Sequence, residues 1–112
     1  MYERSARVLA WNIRNKLREL GIPSYPASSR DGFVFIMVEY RDKRLLVWIR
    51  TSPITSKALP LAKKIAGKYE KADLFVLEFY EEIDYAEGWK TLDIAKVKAV
   101  EEAVEEIRKR LE

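Results

Sequence analysis

The chain has no cysteine, no histidine and no glutamine among its 112 residues. Without cysteine there is no disulfide and no thiolate metal centre. Without histidine there is no Ser-His-Asp or Cys-His nucleophile, and the usual zinc ligand sets are lost. Asparagine occurs only as Asn12 and Asn15, while 35% of residues are charged. Few thermolabile side chains beside abundant Glu, Lys and Arg is a hyperthermophile pattern, and it predicts a thermophilic, archaeal source. Long apolar runs and a signal-peptide pattern are also lacking, so the expectation is a soluble, cytoplasmic protein with no membrane partner. The length suits a single domain with a modest core.

What is present is charge, unevenly placed. The net charge is +3, but residues 1–71 carry 15 Lys/Arg against 6 Asp/Glu, and residues 72–112 carry 6 against 12. A basic body followed by an acidic stretch points to an anionic partner for the body. The acidic segment at Glu81, Glu82 and Asp84 has no second carboxylate cluster to converge on, so it reads as loop carboxylates. No metal, no cofactor and no catalytic residue is expected.

The most informative stretch runs from Phe33 to Arg50. It reads as two strands joined at a polar turn, with Asp42-Lys43 as the two-residue loop. That turn pairs Val38 with Val47, Met37 with Trp48, Ile36 with Ile49 and Phe35 with Arg50. Alternation then puts Val34, Ile36, Val38, Leu45, Val47 and Ile49 on one face, which is core material. The other face carries Phe33, Phe35, Met37, Leu46, Trp48 and Arg50. Two readings compete for it. Helices cover both faces and the aromatics are core, or the second face is open and nucleobases stack on it while arginines hold phosphates.

Elsewhere, residues 3–20 read as a helix with a buried stripe of Ala6, Leu9, Ala10, Ile13, Leu17 and Leu20, stopped by Gly21. Its other side is a ridge of Arg4, Arg7, Trp11, Arg14 and Arg18. Residues 22–27 read as a short edge strand holding Pro23 and Pro26, and residues 28–32 as a polar loop. Residues 56–69 read as a second helix capped by Ser56, with Lys57, Lys63, Lys64 and Lys68 outward as a solvated face. Leu74 to Tyr80 is an apolar, central strand. Residues 93–111 read as a last helix capped by Asp93, with Val97, Val100, Val104, Ile107 and Leu111 stepping at 3, 4, 3, 4. This seam suits a homodimer helix pair or docking on the sheet.

The predicted fold is therefore α+β: an N-terminal helix, a small, mainly antiparallel sheet with a central hairpin, a second helix, a further strand and a long C-terminal helix. It is one domain, 1–112, with a body at 1–92 and a dimerising helix at 93–112.

Two families resemble this order. The aromatic and basic hairpin face (Phe33, Phe35, Trp48, Arg50) and the seam from Val97 to Leu111 resemble the ThermoDBP group of archaeal single-stranded DNA-binding proteins. That resemblance implies an aromatic cleft and a dimer built by the C-terminal helix. The helix ending in Leu20-Gly21, then Ser28-Ser29-Arg30-Asp31, the hairpin, and the helix leading to a central strand resemble archaeal Holliday-junction resolvases within the PD-(D/E)xK nucleases. There an Asp and a Glu-x-Lys would bind Mg²⁺ and activate water. Asp31 matches the first position, but the Glu-x-Lys position reads Trp48-Ile49-Arg50. Tryptophan cannot ligate a metal and arginine stays protonated. The other match, Glu39-Tyr40-Arg41, also lacks the lysine and lies near the turn.

Together these readings predict a binder rather than an enzyme: a single-stranded DNA-binding homodimer without sequence preference, RNA being the other ligand of the same chemistry. Trp48, Phe35, Phe33 and Met37 would form the platform, each stacked base contributing ~1–3 kcal/mol. Arg50, Arg44 and Arg30 would hold phosphates, with Arg7, Trp11 and Arg14 as a second patch. On this reading Trp48→Ala weakens binding without unfolding the protein. The alternatives are a catalytically degenerate nuclease fold that binds duplex or branched DNA, and a protein-interaction module.

Overall fold

The computed structural model describes residues 5–30, 33–80 and 91–112. Its elements run α1 (Ala6–Glu19), β1 (Ser24–Arg30), β2 (Phe33–Tyr40), β3 (Lys43–Arg50), α2 (Ala58–Ala66), β4 (Asp73–Glu78), β5 (Asp93–Lys96) and α3 (Val100–Leu111). The α+β class is as predicted. The five strands lie in chain order across one sheet. The sheet is mixed rather than mainly antiparallel: β1–β2 and β2–β3 pair antiparallel, β3–β4 and β4–β5 parallel.

Helix α1 starts where the Ser5 hydroxyl accepts the Val8 amide at 3.2 Å, satisfying one unpaired donor of the first turn. It stops at Gly21, whose φ of +77° suits a residue without a Cβ. The Gly21 amide donates to the Arg18 carbonyl and the Ile22 amide to the Leu17 carbonyl, closing the last turn. Buried Ile22 over buried Leu17 completes this stop. In β1, Pro26 sits on the sheet edge, where its missing donor costs least, and a bulge follows it.

The hairpin turn is Arg41-Asp42, with Arg41 in the left-handed region at φ +58°. Pairing therefore runs Val38 with Leu45, Ile36 with Val47 and Phe35 with Trp48. This differs by two residues from the expected register. A shift of two preserves every side chain's face, so the division into two faces stands as predicted.

Val34, Ile36, Val38, Leu45, Val47 and Ile49 meet Leu9, Ile13 and Leu17 of α1 and Val100, Val104, Ile107 and Leu111 of α3 in one core layer. Phe35, Met37, Leu46, Trp48 and Val76 meet Ile54 and the Ala58, Leu59 and Ala62 stripe of α2 in a second layer on the other face. Strand β4 is interior, between β3 and β5, while β3 rather than β4 takes the central place in the sheet; Phe75, Val76 and Leu77 are fully buried.

Three expectations are corrected here. Residues 93–96 are a strand, not a helix start. Ile94 faces the α2 layer while Ala95 and Val97 face the other, a period of two. The Val97 amide extends the ladder by donating to the Glu78 carbonyl at 2.9 Å, and the chain turns helical only after Ala99. The second helix is capped by the Thr55 hydroxyl, which accepts the Ala58 amide at 3.1 Å, rather than by Ser56. Finally, the dimer seam is occupied within the chain. Val97, Val100, Val104, Ile107 and Leu111 are all buried against the sheet and α1. Each buried Val, Ile or Leu stabilises by about 1.5–3 kcal/mol, which docking in cis already supplies. Arg110 fastens the helix further, pairing with Asp93 at 2.7 Å and Glu106 at 2.9 Å above the Phe75 ring.

Trp48 sits at the centre of the second layer, fully buried. Trp48→Ala is expected to destabilise the fold by about 3–5 kcal/mol in urea denaturation. Trp48→Phe should cost much less, because it fills most of the volume and removes an indole N–H that is buried without a partner. Negligible loss in both variants would place the side chain outside the core.

Candidate nucleic-acid interface

The expected stacking platform is built but not open. The Trp48 ring lies between Phe33 and Phe35, with centroids 5.8 and 5.9 Å apart and planes within 8° and 15° of parallel. Helix α2 closes over this stack. Phe35, Met37 and Trp48 are fully buried and Phe33 is half-buried. The reading of Phe35, Met37 and Trp48 as a base-stacking surface is corrected: no base can reach side chains buried under Ala58, Leu59 and Ala62, and of the four only Phe33 keeps exposed surface.

The arginines of the hairpin are also committed. Arg50 lies over the Trp48 ring at 5.3 Å and donates to the Ser52 and Pro53 carbonyls at 3.2 and 2.9 Å. It holds the chain as it leaves β3, and burial pulls its guanidinium below the ordinary value. Arg44 pairs with Glu39 at 2.9 Å and donates to the Glu70 carbonyl and the Tyr25 hydroxyl. Both serve as structural clamps. The Arg30 side chain, Arg4, Asp31, Glu81, Glu82 and Asp84 lie outside the described residues.

At the end of β4, Glu78 was not anticipated. It pairs in register with Arg50 on one side and Lys96 on the other, at the carboxyl ends of three parallel strands. Its side chain is 0% exposed. One oxygen accepts the Tyr80 amide at 3.2 Å and the other is buried without a partner. Burial raises its pKa to about 8, against the opposing pull of the Tyr80 amide, Arg50 and Lys96. Glu78 therefore holds its proton at neutral pH and is a poor metal ligand. Among the described residues no group of three or more His, Cys, Asp or Glu could hold a metal ion. The sequence signal was there: Glu78 is the single charged residue in the otherwise apolar run at 74–80.

The second predicted patch has a different fate. The buried stripe of α1 turns Arg7, Trp11 and Arg18 outward, and Trp11 is 61% exposed with Val8 beside it at 51%. Arg14 is half-buried and reaches across to the Ser24 carbonyl at 3.4 Å, tying the helix to the edge strand β1. Arg18 is steadied by Asn15 at 2.8 Å. An exposed indole within a row of guanidinium groups can stack on one planar group while its neighbours meet anions. No helix among the described residues is long and apolar enough to cross a membrane.

No protein-family model, no curated protein and no solved structure matches this chain.

Between the unfolded carboxyl value of 4.5 and about 8, folded Glu78 keeps a proton that the unfolded chain has lost. Stability through this group is full below that window, falls as pH rises through it, and is level above it. Glu78→Gln is expected to remove this part of the pH dependence in urea denaturation at about pH 5, 7 and 9. A wild-type and variant pair with parallel pH curves would mean that the carboxyl ionises normally in the fold.

Proposed function

We propose that this protein binds single-stranded DNA without cleaving it, and that helix α1 is the docking element. The observation that carries the reading is Trp11, 61% exposed on a ridge with Arg7, Arg14 and Arg18. A base stacks on the indole, and the guanidinium groups of Arg7 and Arg18 meet the flanking phosphates. Arg14 anchors the helix to β1, so the ridge is held on a rigid element. The basic balance of residues 1–71 supports an anionic ligand. The sequence carries no recognisable base-edge code, so the contact is indifferent to sequence. The chain acts in the cytoplasm of a thermophilic archaeon, in keeping with its composition.

A second reading is favoured by one observation. The order of helix, hairpin, helix and central strand follows the resolvase-like resemblance. At the Glu-x-Lys position stand a buried Trp48 and an Arg50 bound to backbone carbonyls. On that reading the protein binds duplex or branched DNA and has lost the nuclease chemistry.

Anisotropy of labelled single-stranded, duplex and four-way-junction DNA, with Mg²⁺ and across a salt series, tests both. Single-strand binding should have a slope of log K against log salt of roughly −0.7 per phosphate neutralised. Trp11→Ala should weaken it about 5- to 150-fold while leaving the thermal midpoint in place. Junction preference would favour the second reading, cleavage would overturn both, and an unaffected Trp11→Ala variant would remove α1 from the interface.

A further inference from the structure

The outer face of α2 is cationic without relief. From Lys43 to Tyr69 the chain has seven Lys/Arg and no Asp or Glu. Four of these, Lys57, Lys63, Lys64 and Lys68, are exposed on or beside α2, opposite its buried Ala58, Leu59 and Ala62. Lys57, Leu61, Lys64 and Lys68 step by 4, 3 and 4, so they form one ridge, with Lys63 flanking it. Among the described residues none of the four lysines enters an ion pair.

Helix α3 treats charge differently. On α3, Arg108 pairs with Glu105, Lys109 with Glu106, and Arg110 with Glu106 and Asp93. On α1, Lys16 lies 4.0 Å from Glu19. Helix stability does not account for the α2 pattern either. Lysines 63 and 64 suit the negative end of the helix dipole, but Lys57 stands at the N-cap, where a cation is disfavoured.

We propose that this lysine face is a second nucleic-acid surface, which docks on the phosphate backbone of a duplex. From Lys57 to Lys68 the ridge is roughly 16 Å long, a reach of several phosphates along one strand. It carries no aromatic ring, so it offers no stack for an unpaired base. Its one exposed large apolar side chain is Leu61, too little for insertion into a bilayer. Charge complementarity with a duplex backbone is what remains. Because α1 and α2 lie on opposite faces of the sheet, a chain that uses both surfaces holds two nucleic-acid segments apart by its own thickness. That bridging rests on the α1 reading; the duplex contact does not.

The test uses the full chain with Lys57, Lys63, Lys64 and Lys68 all changed to Gln, and a labelled mixed-sequence duplex in a salt series. The slope of log K against log salt should become shallower by about 0.9 for each lysine engaged. A variant with Lys43, Lys98, Arg108 and Lys109 changed to Gln carries the same net charge and should keep the wild-type slope. Trp11→Ala should also keep its duplex affinity, even if the α1 reading fails. An unchanged slope in the α2 variant would overturn the proposal. So would equal losses in the two quadruple variants, which would reduce the effect to net charge. Lysine-dependent binding to phosphatidylserine vesicles without duplex binding would overturn it in favour of a membrane surface.

Discussion

Strand β3 is buried on both faces, and most of the molecule follows from that. Leu45, Val47 and Ile49 point to one layer, Leu46 and Trp48 to the other, and all are out of solvent. A strand in that position needs cover above and below. Helices α1 and α3 supply one cover and α2 the other. The apolar stripe of α3 is then consumed within the chain. The aromatic stack of Phe33, Trp48 and Phe35 becomes the inside of a layer instead of a surface. What stays outside is the opposite side of each helix, and on α1 and α2 that side is basic.

This arrangement leaves the accessible basic ridges on the helices rather than on the sheet faces. A sheet used as a stacking platform must be open on one face. Here the hairpin arginines are spent on architecture. Arg50 fastens the exit of β3 to the Ser52 and Pro53 carbonyls, and Arg44 pairs with Glu39 across the hairpin and joins it to the Glu70 carbonyl. Among the described aromatic residues Trp11 is left most open to solvent, at 61% exposure against 40% for Tyr25. The difference between the two tryptophans is not chemical. Trp48 occupies a position that a helix must cover, and Trp11 lies on the far side of a helix that does the covering.

Glu78 shows the cost of such a plan at its margin. The parallel strands β3, β4 and β5 end in a row of Arg50, Glu78 and Lys96. Flanking cations favour the carboxylate, yet burial outweighs them and the group keeps its proton up to about pH 8. A carboxylic acid in that state suits neither metal binding nor charge-assisted pairing. The end of β4 thus offers no open carboxylate set among the described residues.

Sequence alone determined the two faces of the hairpin, since alternation is local and a two-residue error in register leaves every side chain on its side. It also determined the α1 stripe of Leu9, Ala10, Ile13 and Leu17 and the outward Arg7, Trp11 and Arg18, because helical period is written in neighbouring residues; Leu20, expected in the stripe, is 50% exposed, since the helix ends there at the Gly21 stop. The identity of β4 as an interior strand followed from its unbroken apolar run. Tertiary structure decided the rest. Whether an aromatic face is a platform or a core depends on whether a distant segment, residues 58–66, packs on it, and no spacing within the hairpin encodes that. Whether a 3, 4 seam pairs with a second chain or with its own sheet depends on which apolar surface is nearer, and here the sheet is. Asp93 to Lys96 carried too few residues to tell a strand from a helix start until β4 offered it a ladder. Arg50 stands beside Glu78 only because the chain returns through α2 to lay β4 along β3, a placement that no local spacing encodes.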